Sequence, residues 1–341
     1  METKLLQVTD PQHDIEAIRT VAAILQDGGV AAIPTETVYG LAADALNPEA
    51  VAKIFEAKGR PADNPLIVHI VDLKDLPKLA REIPQAMYDL AEAFWPGPLT
   101  VILKKQDCVP LITTGGLETV AIRFPSDPVA QAIIRESGLP LAAPSANRSG
   151  SPSPTNARRC VEDLTGRVDA IVDGGECQVG VESTVLTLAG GKPRLLRPGY
   201  VTVEQLREVL GEVEVDKAVL SQLEEGQVAA SPGMKYKHYA PQAKVILLDG
   251  DDRAFADYVN AQEGEGIWAL AFGSETELLQ KPYMVMGETS DEQAHYLFES
   301  LRELDDKGAK LVFARCPRKD GVGMAVYNRI ARAAAFTIIK L

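Results

Sequence analysis

Between Ser231 and Pro241 the chain reads SPGMKYKHYAP, which packs two lysines, a histidine and two tyrosines into a stretch with neither helical nor strand period. Cations and aromatic rings in that mixture suit a ligand that offers phosphate and a base. The bounding proline and glycine suit a lid with hinge-like corners. A polar linker between domains would show a similar composition.

Other segments end apolar runs with residues that a core would not choose. Pro34-Thr35-Glu36-Thr37-Val38-Tyr39-Gly40 follows such a run, so its hydroxyls emerge at the carboxyl end of a strand, where α/β sheets place ligands. Threonines bonded to local backbone in a turn give the same string. Lys58-Gly59-Arg60-Pro61 closes a helix, and Asp63-Asn64-Pro65 turns into an apolar strand that holds His69. Cations at a helix C-terminus complement its dipole without any ligand. On a strand of period two His69 shares a face with Ile67 and Val71, which makes it either a hydrogen-bonded core histidine or a ligand contact. Arg123, in Ala121-Ile122-Arg123-Phe124-Pro125, is costly among apolar neighbours unless it meets a carboxylate, inside the protein or on a ligand, or a phosphate.

The run PSANRSGSPSP, Pro144 to Pro154, follows another apolar strand. Small hydroxyl, amide and glycine residues let backbone N–H groups converge on an anion, and Ser153-Pro154 reads as the N-cap and first turn of a helix that continues through Leu164. The run carries no Gly-Lys-Ser/Thr and so is no P-loop. Gly180-Val181-Glu182-Ser183-Thr184-Val185 and Leu196-Arg197-Pro198-Gly199 add a hydroxyl pair and a second strand-end arginine, whose planar fork suits bidentate phosphate contact.

The elements that position these groups alternate. A helical stripe Ile15, Ile18, Ala22, Leu25 stops at Gly28-Gly29, and Pro48 opens a second helix with Val51, Ile54 and Phe55. Strands are predicted at 30–33, 65–71, 99–103, 119–124, 139–143, 170–172 and 183–188, then at 245–248, 267–272 and 311–313. Helices fill 254–261, 292–307 and 325–335. The pattern is α/β twice over, a large unit to about Gly211 and a smaller doubly wound unit after the lid. The smaller unit has no Gly-x-Gly-x-x-Gly after its first strand and is not read as a dinucleotide site.

The 341 residues, 46% of them hydrophobic, suffice for two cores. A net charge of −13 argues against a broad basic surface gripping nucleic acid backbone. No apolar run reaches the length of a membrane span and the start resembles no signal peptide, so a soluble cytoplasmic protein is expected. Cys108, Cys160, Cys177 and Cys316 are scattered without a Cys-x-x-Cys pair; buried free thiols are expected, not a zinc or disulfide framework.

Taken in order, PTETVYGL, KGRPADNPLIVH, FWPGPLT, VAIRFP, PSANRSG, VESTV and LLRPG resemble the YrdC-type domain. With PGMKYKHYAP and the C-terminal α/β unit, the chain from about residue 10 to its end resembles the Sua5 form of the Sua5/YrdC/YciO family. The resemblance implies a YrdC-like twisted open α/β sheet domain over residues 1–211, a linker or lid over 212–242, and a Rossmann-like domain over 243–341. It implies synthesis of L-threonylcarbamoyl-adenylate and pyrophosphate from L-threonine, bicarbonate or CO2, and ATP with Mg2+. That adenylate is the donor for the modification of adenosine 37 in tRNAs reading ANN codons. Transient contact with the downstream transferase complex, no stable nucleic-acid binding, no membrane contact and a monomeric state go with it.

Residue roles are implied in the same way. Thr37, His69, Arg123, Ala143 and Ser183 would form the threonine pocket, with Arg123 on the carboxylate. Lys58 and Arg60, with Ser145 and Asn147, are the paired signature elements placed at the reacting centre. Arg60, Asn64, Thr119, Ser145, Ser153, Arg197 and Tyr236 would contact ATP. No protein nucleophile is needed, since the reaction brings two anionic groups together and asks for cations and N–H donors. No dedicated cluster of acidic ligands is evident, so Mg2+ is expected to ride on the triphosphate. Two other readings stay open on sequence: an RNA-binding module, and a carbamoyl-transfer enzyme of the same superfamily.

Overall fold

The computed structural model describes residues 2–62, 64–219 and 239–341. The large unit is built on a mixed sheet that runs, from one edge, through Lys4–Gln7, Ala170–Asp173, Ala31–Ile33, Gly40–Asp44, Leu141–Ala142 and Ile67–His69. It continues through Thr119–Arg123, Leu99–Lys105, Thr184–Thr187, Arg194–Arg197 and Glu214–Val215. Helix Ile15–Gln26 buries Ile18, Val21, Ala22 and Leu25. It packs with helix Pro128–Ser137 over one end of the sheet. Helix Pro48–Lys58 opens on Asn47, whose side chain accepts from the backbone N–H groups of Glu49 and Ala50. It closes on Gly59 at φ 62°, a left-handed cap that glycine adopts without a Cβ penalty.

The smaller unit is an all-parallel sheet in the order Tyr283–Val285, Ile267–Ala271, Leu311–Arg315, Lys244–Asp249, Ile338–Lys340. Helices Asp252–Asn260, Ser290–Asp306 and Gly323–Ala333 connect its strands. The expected α/β architecture with a smaller Rossmann-like second unit is observed. Most predicted strands are shorter than their apolar runs: Pro65 to Val71 contributes only Ile67–His69, and Leu139 to Ala143 only Leu141–Ala142. Among the described residues no helix is long and apolar enough to cross a membrane. Cys160 and Cys177 are buried as expected, whereas Cys108 is exposed on a turn and Cys316 is half-buried.

The two units are joined through a shared apolar cluster, in which Val38, Val179 and Val181 of the first pack with Leu297, Phe298 and Leu301 of the second. Contact is so close at Gly180 (φ +84°) that a Cβ there would fall 2.4 Å from the Cα of His295. Guanidiniums cross the seam, the exposed Arg158 to Glu299 and, more deeply buried, three others. Arg159 pairs with Glu299 and Asp306 at 2.8 Å each, Arg302 with Asp163 at 2.7 Å, and Arg329 with Glu182 at 2.8 Å. Buried pairs gain little net stability but are costly to break one-sidedly, so they fix how one unit is seated on the other.

Candidate active site

Register brings polar residues of separate strands into one row. His69 is the Cα partner of Arg123, Arg123 of Thr100, Thr100 of Val185, and Val185 of Arg197. Side chains alternate along a strand, so the next rung on the same face is Ile67, Ala121 and Ile102, which is apolar. A polar rim thus borders an apolar floor. Above the rim lies a recess of about 580 Å³, its open mouth included, lined by Thr37, His69, Arg123, Ala143 and Ser183, with Ser145, Arg197 and Tyr239 at its sides.

Arg123 is 3% exposed. One guanidinium nitrogen donates to Thr37 Oγ1 at 2.9 Å and the other meets Glu36 Oε1 at 2.8 Å, while Nε points to the Gly97 carbonyl at 3.4 Å. Burial raises the Glu36 pKa, but the Arg123 charge and hydrogen bond, with a bond from the Ser126 N–H, outweigh it and hold the carboxyl below its usual range. Arg123 therefore has an internal carboxylate partner and still borders the recess. On the opposite wall Ser183 Oγ lies 2.8 Å from Thr100 Oγ1 and accepts from Arg197 Nη2 at 3.1 Å. Burial pushes the Arg197 pKa down to about 10.

His69 lies 3.2 Å from the Ile67 carbonyl through Nδ1. A carbonyl only accepts, so the partner assigns the proton to Nδ1 and leaves Nε2 as an acceptor. Burial, with the Arg123 charge beside it, pushes the His69 pKa down to about 3. The unfolded chain binds this proton below about 6.5 and the folded chain does not. The His69 contribution to stability is therefore complete above that pH and is lost as pH falls toward 3. In His69→Gln the dependence of unfolding free energy on pH should be shallower by about 1.4 kcal/mol per pH unit within that window. Urea midpoints of both proteins between about pH 4 and pH 7 test this, and parallel curves would show that His69 is protonated in the folded state.

The two signature pairs meet as a clamp. Lys58 Nζ donates to the carbonyls of Ser145 and of Asn147, the latter at 2.7 Å, and reaches Asn147 Oδ1 at 3.4 Å. Ser145 Oγ donates to the same Oδ1 at 2.6 Å, and Asn147 Nδ2 donates to Arg148 O and Ser151 O at 2.7 and 2.9 Å. Burial and then the neighbouring Arg60 charge push the Lys58 pKa down to about 7. Arg60 is half-buried, 6.0 Å from the centre of the Phe55 ring.

Of the remaining predicted residues, Asn64, Thr119 and Ser153 are not among those that line the recess. Asn64 is fully buried, and neither its amide nitrogen nor its oxygen has a hydrogen-bond partner among the described residues. Thr119 is on the Arg123 strand, two rungs away, roughly 13 Å at the usual strand rise. An amino acid spans no such distance, while a nucleotide does. Ser153 does not cap the following helix, which begins at Ala157 and is capped by Asn156 accepting from the Arg159 N–H. The Ser153 hydroxyl instead donates to Glu182 Oε1 at 2.5 Å. The helix starts four residues after Ser153, and Asn156, at the position before it, caps as well as serine. Lys235, Tyr236, Lys237 and His238 lie outside the described residues. Tyr239, which follows them, lines the recess, stacks on Phe298 at 5.2 Å, and is followed by Ala240, whose N–H donates to Gly150 O at 3.1 Å.

Sequence reading passed over Glu36, Glu182 and Arg329. Each is a charge set among apolar or small residues, Glu36 within PTET, Glu182 within VEST and Arg329 within an alanine-rich helix. Composition flags such residues only when their partners, distant in sequence, are known. Among the described residues no three His, Cys, Asp or Glu side chains are grouped to hold a metal.

Comparison with known proteins gives a consistent set of relatives. Residues 23–199 match the Sua5, YciO and YrdC family model, described as telomere recombination. Residues 201–335 match a model described as the C-terminal domain of threonylcarbamoyl-AMP synthase. The threonylcarbamoyl-AMP synthase of Pyrococcus abyssi is 44% identical over 328 residues, 95% of this chain and 96% of that protein. That of Bacillus subtilis is 44% identical over 344 residues, 99% of this chain and 97% of that protein. The crystal structure of P. abyssi Sua5 complexed with L-threonine superposes with a TM-score of 0.92 at 41% identity, covering 100% of both chains.

Proposed function

The chain belongs to the Sua5/YrdC/YciO family, and on that premise we propose that it is a threonylcarbamoyl-AMP synthase, joining L-threonine, bicarbonate or CO2, and ATP with release of pyrophosphate. The observation that carries this reading is the recess itself. A guanidinium, two hydroxyls and a neutral imidazole converge there beside an apolar floor, which matches the carboxylate, hydroxyl and methyl of threonine. Arg123 and Thr37 take the carboxylate, Ser183 and His69 the polar groups of the side chain and amine, and the backbone at Ala143 closes the wall.

The chemistry then needs orientation more than a nucleophile. The uncharged threonine amine attacks the carbon of CO2 and releases one proton to solvent, giving a carbamate. A carbamate oxygen attacks the α-phosphorus of ATP as the bond to pyrophosphate breaks. Two anions must approach each other, so cations around the cleft lower the barrier. Arg60 and Arg197 supply charge, while Lys58 fixes the shape of the loop Ser145–Asn147 beside the phosphates. Asn64, Thr119, Ser153 and Tyr236 extend the contact along the nucleotide. Mg2+ carried by the triphosphate would neutralise charge there; Glu36 and Glu182 are both held by arginines. The product passes to a transferase that modifies adenosine 37 of tRNA, with the cytoplasm as the site of action.

Pyrophosphate release from ATP is expected to require both L-threonine and bicarbonate, and mass spectrometry of the same mixture should show threonylcarbamoyl-AMP. Equal release with either one omitted would overturn the assignment.

A further inference from the structure

The C-terminal unit reaches the cleft through one fully buried side chain. Arg329, on helix Gly323–Ala333, donates through Nε to Glu182 Oε2 at 2.8 Å, through Nη1 to the Pro198 carbonyl at 2.8 Å, and through Nη2 to the Glu182 carbonyl at 3.2 Å. The other Glu182 oxygen takes the Ser153 proton. Pro198 follows Arg197, whose Nε donates to the Ser183 carbonyl at 3.0 Å. One guanidinium thus ties together the chain on either side of Glu182 and Arg197. Independently, Arg302 of helix Ser290–Asp306 donates to the carbonyl of Pro152, the residue before Ser153, at 2.6 and 3.1 Å. Arg302 thus holds the Ser153 segment directly at Pro152, and Arg329 supports it through the Glu182 carboxylate.

We propose that Arg329 is a positioning residue for the nucleotide side of the cleft, acting through Glu182 on Ser153 and through Pro198 on Arg197. This rests on the reading above that Ser153 and Arg197 meet ATP. A serine hydroxyl has one proton, and Glu182 holds it, so the Ser153 oxygen meets a ligand as an acceptor. That role fits a ribose hydroxyl or a base amino group and not a phosphate oxygen. Without Arg329 the buried Glu182 loses its paired charge and Ser153 loses the support of a fixed carboxylate, although Arg302 still holds Pro152; Ser183, which also accepts from Arg197, keeps its contact with Thr100. The nucleotide side is therefore more exposed to the loss than the threonine side.

The test uses the full-length chain and first requires that the wild-type protein form threonylcarbamoyl-AMP; if it does not, the functional reading fails before this one is addressed. In Arg329→Met the KM for ATP should rise about 10- to 100-fold, with the KM for threonine within about threefold. Arg329→Lys keeps a charge but not the fork, and should show a smaller rise for ATP with the same sparing of threonine. Adding Glu182→Gln to Arg329→Met removes the orphan carboxylate and should recover thermal stability while leaving the ATP KM raised. A purely structural role predicts that stability and ATP KM recover together. That result, or an unchanged ATP KM in the folded Met or Lys variant, overturns the proposal.

Discussion

Replacing Arg123 by alanine is expected to raise the threonine concentration needed for half-maximal pyrophosphate release by roughly 30- to 1,000-fold, the equivalent of about 2 to 4 kcal/mol for an unpaired buried charge contact. The ATP requirement should move far less. Two effects are combined in this variant, because Arg123 also neutralises the buried Glu36. Breaking a buried pair from one side costs about 3 to 5 kcal/mol of stability. Adding Glu36→Gln to Arg123→Ala separates them: the double variant should recover most of the stability and none of the threonine affinity. If threonine affinity returns with stability, Arg123 serves only to balance Glu36 and the carboxylate is held elsewhere.

Lys58→Ala is expected to lower the rate of adenylate formation at saturating substrates by about 100- to 1,000-fold, the usual loss when a preorganised donor set around developing charge collapses. The cause is local: three acceptors of the Ser145–Asn147 segment lose one shared cation at once. Arginine is not expected to rescue this variant. Its planar fork does not fit a site where one compact ammonium serves converging carbonyls, and Lys58 has no solvent-facing room to expand. Single-turnover pyrophosphate release separates this loss from a change in ATP binding. An Arg variant with wild-type rate would mean that charge alone, not the clamp, is what the position supplies.

Much of the site was legible because its residues break local rules. A guanidinium in VAIRFP, an imidazole in PLIVH and hydroxyls at the ends of apolar runs are costly unless something meets them, so sequence alone marked Arg123, His69, Thr37 and Ser183. The same reasoning failed at Ser153, where cap propensity was the strongest local signal. The helix starts at Ala157 with Asn156 as its cap, and the Ser153 hydroxyl donates to a carboxylate 29 residues later in the chain. Strand lengths were overestimated at Pro65 and Leu139 for a related reason: apolar runs report burial, while pairing partners set where a strand ends.

Sequence by itself determined the two α/β units, the order of their elements, and the residue types at the strand ends, since periodicity and turn chemistry are local properties. Tertiary structure decided which of those residues form one site. The register that sets His69, Arg123, Thr100, Val185 and Arg197 in a row is a relation among five strands, from residue 67 to residue 197. The Arg329–Glu182–Ser153 chain spans 147 and then 29 residues of sequence. Such pairings depend on how sheets and helices close on one another, and the energy of a buried charge is set by the partner it finds there, which no local pattern encodes.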